Sequence, residues 1–234
     1  MTARGGLRRF VAPAPAPALA AAGSPSVPVS VPVAAPVSGP VTEPVAELEK
    51  CEMCGNVAGP EHGHVVDVEN RALMCSCRAC YLLFTSPEAG GRRFRAVPDR
   101  YLHDPDRAVT PAEWDALGIP VSSAFVLRGD GGPAAFYPSP AGATECLLDL
   151  DAWAQLSVSH PLLAAAQPEV EAILVRGTDE GVESYLVPID ACYQLVGIVR
   201  MYWKGFDGGE EAHEQIDRFF TEIRGQARRY EAGV

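Results

Sequence analysis

CEMCGNVAGPEHGHVVDVENRALMCSCRAC, residues 51–80, carries five of the chain's seven cysteines, and the reading of everything else depends on it. Cys51/Cys54 and Cys77/Cys80 are two CxxC pairs. In a CxxC turn both sulfurs point to one centre while the following backbone N–H groups donate to them, and Gly55 suits the tight turn after the first pair. Two such turns brought together make a tetrahedral four-thiolate cage, which accepts Zn²⁺ or a single iron. The 22-residue gap between Cys54 and Cys77 is slightly longer than the usual zinc-ribbon gap. Cys75 is the odd thiol, with three roles open: an additional or replacement ligand in place of Cys77, a spare thiol, or a member of an iron–sulfur cluster. His62 and His64 are expected outside the ligand set, as solvated or hydrogen-bonded loop residues.

Between the pairs, HVVDV (64–68) and RALMC (71–75) flank Glu69-Asn70, the pattern of a β-hairpin. YLLFT (81–85) after the second pair reads as a further strand. A segment of about 35 residues buries too little apolar surface to hold itself together, so bound metal is expected to contribute to its folding.

Upstream, residues 11–42 carry no charge, and nine of the 21 prolines fall between Pro13 and Pro44. Proline fixes φ and removes donors, so residues 1–45 are expected to be a disordered Ala/Pro/Val-rich tail. Pro13, Pro15 and Pro17 break the compact apolar helix an export signal needs. Paired CxxC spacing with an odd cysteine total argues for a reducing, cytoplasmic setting. The 234 residues carry 19 basic and 30 acidic side chains, a formal charge of −11. Residues 1–42 hold three arginines and no acid, leaving 16 basic against 30 acidic groups, or −14, on the remainder. Such a surface disfavours broad nucleic-acid binding, and no apolar run is long enough to span a membrane.

Downstream, Arg92, Arg93 and Arg95 lead a local excess of basic charge, with Arg71, Arg78 and Arg100 against Glu88 and Asp99. This stretch reads as a solvated linker, with docking of an acidic partner or nucleic acid as the alternative. Thr110-Pro111-Ala112-Glu113 is a capping box opening a short helix. Strands follow at 121–128, 133–137 and 144–149, then a short helix at DAWAQLSVS and a hairpin from VEAILVR and VESYLVP around GTDEG. DACYQLVGIVRMYW has helical apolar spacing, and Asp207-Gly208-Gly209-Glu210 reads as the cap of a last amphipathic helix. The expected fold class is α+β: a small zinc-ribbon-like β module (46–90), then an α+β sandwich (91–234) with helices on one face of its sheet. No nucleophile elbow, P-loop, GxGxxG, HExxH or zinc-deaminase pattern is present, so the sequence supports no catalytic residue and no enzyme class. His103-Asp104 with Asp106 reads as a surface loop, and Cys146 and Cys192 as small core residues.

CEMCG is similar to the first half of a rubredoxin or zinc-ribbon site, whereas CRACYLL lacks the Pro and Gly of rubredoxin's second turn, which favours zinc over iron. With CRACYLLF and WKGFDGG, the chain resembles over roughly residues 46–230 an uncharacterised bacterial family encoded beside high-affinity nickel–iron hydrogenases. That resemblance implies an accessory protein in hydrogenase assembly or electron supply, with hydrogenase subunits or maturation factors as partners. The competing expectations are a rubredoxin-like electron carrier with a four-cysteine iron site and a zinc-ribbon regulator contacting nucleic acid through Arg92, Arg93 and Arg95.

Overall fold

The computed structural model describes residues 49–86 and 93–231; the proline-rich tail and Arg92 lie outside them. Ala46–Val234 cluster as one compact unit. Its elements are β1 (Gly63–Asp67), β2 (Ala72–Ser76), α1 (Arg78–Leu83), β3 (Phe94–Ala96), β4 (Leu102–His103), α2 (Pro111–Ala116), β5 (Ser123–Gly129), β6 (Gly132–Ser139), β7 (Gly142–Cys146), α3 (Leu150–Ser159), α4 (Pro161–Ala164), β8 (Glu171–Thr178), β9 (Gly181–Pro188), α5 (Ile189–Tyr202), α6 (Gly209–Gln226) and β10 (Arg228–Arg229).

The fold is α+β, built on two sheets: a three-stranded one in the order β2-β1-β3 and a seven-stranded one in the order β10-β4-β9-β8-β5-β6-β7. Every pairing within them is antiparallel except β10 with β4. Alternation along the central strands divides the core. Phe125, Ala172, Leu174, Tyr185 and Val187 face α5 and α6, packing on Leu195, Val196, Phe219, Phe220 and Ile223. Their neighbours Ala124, Val126, Ile173, Val175 and Leu186 face the other way, onto Trp114 of α2 and its C-cap Leu117, Trp153 and Leu156 of α3, and Leu162 and Leu163 of α4. Each of these fully buried large side chains contributes about 1.5–3 kcal/mol. Helices therefore cover both faces of the large sheet, not one as the chain order suggested. The central strands are apolar at consecutive positions, which requires a partner layer on each side.

The cysteine segment is joined to this core. Val66 of β1 and Val97 after β3 are buried with Phe125 and Leu195 in the same cluster. The third strand of the small sheet comes from Phe94–Ala96, beyond residue 90. The basic stretch there is not the solvated linker expected. Arg93 pairs with Asp67, Arg95 donates to the Pro168 carbonyl at 2.7 Å, and Arg100 reaches the buried Glu171. Each arginine is drawn in by a carboxylate or carbonyl distant in sequence, which a local charge count does not reveal.

The hairpin expected at Glu69-Asn70 is present. Asp67 fixes it by accepting from the Asn70 backbone N–H at 3.2 Å, Asn70 Nδ2 at 2.7 Å and Arg93 Nη2 at 2.8 Å. The Arg93 guanidinium, aided by Asn70 and opposed by burial, holds the Asp67 carboxyl down at about 2 from an ordinary 3.8. Because the folded value is depressed, this stabilisation is complete above pH 3.8 and is lost as pH falls toward 2. Asp67→Asn is therefore expected to flatten the acid limb of stability across that window, measured as urea midpoint against pH. Parallel acid limbs in the two proteins would contradict the pairing.

Two local readings are corrected. YLLFT does not form a strand: residues 78–83 are helical, with Cys77 at the N-cap and the Tyr81 N–H donating to the Cys77 carbonyl at 2.9 Å. Positions three apart share one side of a helical turn, so bringing Cys77 and Cys80 to one centre overrides the β preference of Tyr and Phe. The last helix also has no side-chain cap. Gly208 occupies the N-cap at φ +88°, and the Trp203 ring stands 2.8 Å from where a Cβ would sit, so the position demands glycine.

Candidate metal centre

Two knuckles of different construction present the four cysteines. The first is a tight loop in which Lys50 bridges Val57. The Cys51 N–H donates to the Asn56 carbonyl at 2.8 Å, and the Gly55 N–H to the Cys51 carbonyl at 2.8 Å, with Gly55 at φ +74°. The second is the Cys77 N-cap and first turn of α1. They are tied together by the Glu52 N–H donating to the Cys75 carbonyl at 2.9 Å, and by the Cys75 N–H donating to Glu52 Oε2 at 2.6 Å. Tyr81 secures α1 from below. Its ring lies against Gly63, within 2.3 Å of where a Cβ would be, and its hydroxyl donates to the Val97 carbonyl at 2.9 Å.

The Sγ atoms of Cys51, Cys54, Cys77 and Cys80 all lie within 4.8 Å of one another. Cys54 and Cys77 are 3.7 Å apart. A disulfide needs about 2.05 Å, whereas a tetrahedral thiolate shell with bonds of about 2.3 Å separates its sulfurs by about 3.8 Å. The spacing is that of ligands, and all seven cysteines are free thiols. Cys51 is buried, Cys77 and Cys80 are partly so, and Cys54 is exposed, so the centre sits at the surface with one corner toward solvent.

The electrostatics are those of a site built around a cation. At Cys51 burial opposes ionisation, but the backbone N–H groups of Cys77, Cys54 and Met53 outweigh it and bring the thiol down to about 6. At Cys80 the Cys54 sulfur, then burial, then the Cys77 and Cys51 sulfurs push it up to about 12. At Cys54 the Asn56 N–H and the Cys80 thiol favour the thiolate, yet the Cys51 sulfur, burial and the Cys77 sulfur prevail and raise it. One thiolate is stabilised by the backbone, and further negative charge beside it is resisted. A divalent ion reverses that resistance, because a coordinating thiol is deprotonated outright. The residues fit a metal ion, since four sulfurs are enough to fill a tetrahedral shell.

The other candidates fall elsewhere. Cys75 is outside the cage; it lies with His62 and His64, the reactive atoms of the three within 4.8 Å of one another. Burial first, then Glu49, Glu52 and Cys51, raise its thiol. His64 is a strand residue and not a loop residue. Arg93 and Arg95 are engaged as described. Sequence reading also missed a cleft of 490 Å³ between the two sheets, lined by Val66, Leu73, Phe125, Phe136, Ile189 and Tyr193 and rimmed by Arg71, Glu145 and Glu169. That is the size of a small-ligand site. Its walls come from separate elements and leave no local signature. Among the described residues no helix is long and apolar enough to cross a membrane.

No curated protein and no solved structure matches the chain. Residues 50–227, from the bridge of the first cysteine knuckle to the end of the last long helix, match a family of unknown function, DUF5947, and the chain belongs to that family.

Proposed function

We propose that this protein is a non-catalytic, metal-binding accessory protein in which Cys51, Cys54, Cys77 and Cys80 hold one zinc ion that shapes a docking surface for a protein partner. The observation that carries this is the convergence of four sulfurs from two knuckles, with the closed shell that structural zinc takes. The apolar surface of the knuckles supports the docking role. Val57 on the first is 53% exposed, and Leu82 and Leu83 on the helix bearing Cys80 are 50% and 63% exposed. Leu82 and Leu83 are consecutive, so α1 turns two large apolar side chains toward solvent beside the cysteines, a surface that a partner would cover. The metal orders α1 and so fixes where Leu82 and Leu83 stand. A hydrogenase subunit or maturation factor is the proposed partner, in line with the chain's resemblance to proteins encoded beside nickel–iron hydrogenases.

The test is metal analysis of the purified full chain, joined to capture of candidate hydrogenase subunits. A colourless protein with zinc in the cage, whose capture is lost in the Leu82→Ser/Leu83→Ser variant while zinc is retained, is the expected result. A red protein with a reversible one-iron couple would replace this reading with electron transfer. Undiminished capture by the double variant would remove the docking surface.

A further inference from the structure

The second cluster follows from strand geometry. His62 and His64 are two residues apart, so an extended chain places them on one side, and the register pairs His64 directly with Cys75 across the antiparallel β1–β2 ladder. The imidazole centroids are 5.0 Å apart, and the three ligand atoms lie within 4.8 Å of one another. A shared ion sets its ligand atoms about 3.3–3.8 Å apart, so ligation requires the three side chains to close by about 1 Å.

Both rings are already oriented as metal ligands are. His62 Nδ1 is 3.0 Å from the Gly59 carbonyl, and His64 Nδ1 is 2.8 Å from Asp190 Oδ2 in the first turn of α5. A carbonyl only accepts, so His62 carries its proton on Nδ1, and the Asp190 carboxylate sets the same tautomer in His64. Each Nε2 then presents a lone pair. A carboxylate or carbonyl on the far nitrogen is the usual outer support of a metal-binding histidine. His62 Nε2 is buried with no hydrogen-bond partner, on a side chain 10% exposed. Glu49 Oε2 stands 3.2 Å away without completing a hydrogen bond. With the proton on Nδ1, Nε2 and that carboxylate are two acceptors side by side, an arrangement that a metal ion or a second proton relieves.

We infer that His62, His64 and Cys75 form a second metal site, taking a divalent ion of the zinc class through two imidazoles and one thiolate. Glu49 and Glu52 lie alongside as counter-charge. Three protein ligands leave a fourth position for an exchangeable small ligand such as water, unlike the closed four-cysteine cage. This site does not depend on the docking role proposed above.

Cobalt titration of the metal-free full chain tests it without any substitution. The cage supplies four sulfur-to-cobalt bonds and the second site one, so charge-transfer absorbance gained per ion is expected to fall about four-fold in a second phase. Two equivalents of zinc are expected by elemental analysis, against one in His62→Gln and in Cys75→Ser, with far-UV circular dichroism unchanged. Asp190→Asn, which leaves every ligand in place, is expected to weaken one of the two ions about 10–100-fold. A single equivalent in the unsubstituted protein, a second phase with the same sulfur intensity as the first, or an Asp190→Asn variant with both affinities intact would overturn the assignment.

Discussion

Arg100→Ala is expected to destabilise the protein by about 3–5 kcal/mol, a fall of roughly 10 °C in Tm. Glu171 at the start of β8 is fully buried, and Arg100 grips it with Nε to Oε1 at 2.7 Å and Nη2 to Oε2 at 2.6 Å. The same Nη2 donates to the Ala165 carbonyl at 3.1 Å. The Gln167 N–H, at 2.8 Å, is the carboxylate's other donor. Truncating the arginine leaves a charge in the interior with one neutral hydrogen bond, and that desolvation is the source of the loss. Replacing both partners, as Arg100→Met/Glu171→Leu, removes the stranded charge and is expected to recover most of the stability. Equilibrium urea unfolding of the single and double variants measures this. A single-variant loss below about 1 kcal/mol would mean that the pair behaves as an exposed ion pair.

Glu171 also shows where sequence reading stops. The CxxC spacing identified the four sulfurs that converge, because i and i+3 geometry is local. The capping box at Thr110 identified α2, where Thr110 Oγ1 and the Glu113 carboxylate exchange hydrogen bonds with each other's backbone N–H. Arg100 and Glu171 are 71 residues apart, and nothing near either announces the other. The second cluster lies between these cases. The turn expected at Glu69-Asn70 already sets His64 opposite Cys75, so the juxtaposition was legible from the register. What hides it is that His62 and His64 read as solvated or hydrogen-bonded loop residues unless the strand register is followed to Cys75. In YLLF the strand propensity of Tyr and Phe yields to a local demand, the helical turn that two sulfurs three residues apart impose on residues 77–80.

Removing the cage is expected to have the largest effect of all, confined to part of the chain. Structural zinc contributes about 10–16 kcal/mol in small peptides, comparable with the whole stability of an ordinary domain. Apart from the Glu52–Cys75 hydrogen bonds and the Tyr81 contacts, the knuckles contribute little to the main core: Cys54 is exposed, and α1 buries no residue fully. The far end of the hairpin is different, since Val66 lies in the main core with Leu73 packed against that cluster. Cys51→Ser, or chelation of the unsubstituted protein, is therefore expected to raise amide exchange by about 100-fold or more in residues 50–58 and 77–84. Protection should persist at Val65–Leu73 and throughout the seven-stranded sheet. Lowering the pH should reproduce the effect, because protons compete with the ion for thiolates. Hydrogen exchange read by mass spectrometry resolves these segments. Unchanged protection in both knuckles would deny the metal a structural role, and uniform loss across the chain would show that the cage and the main core unfold as one.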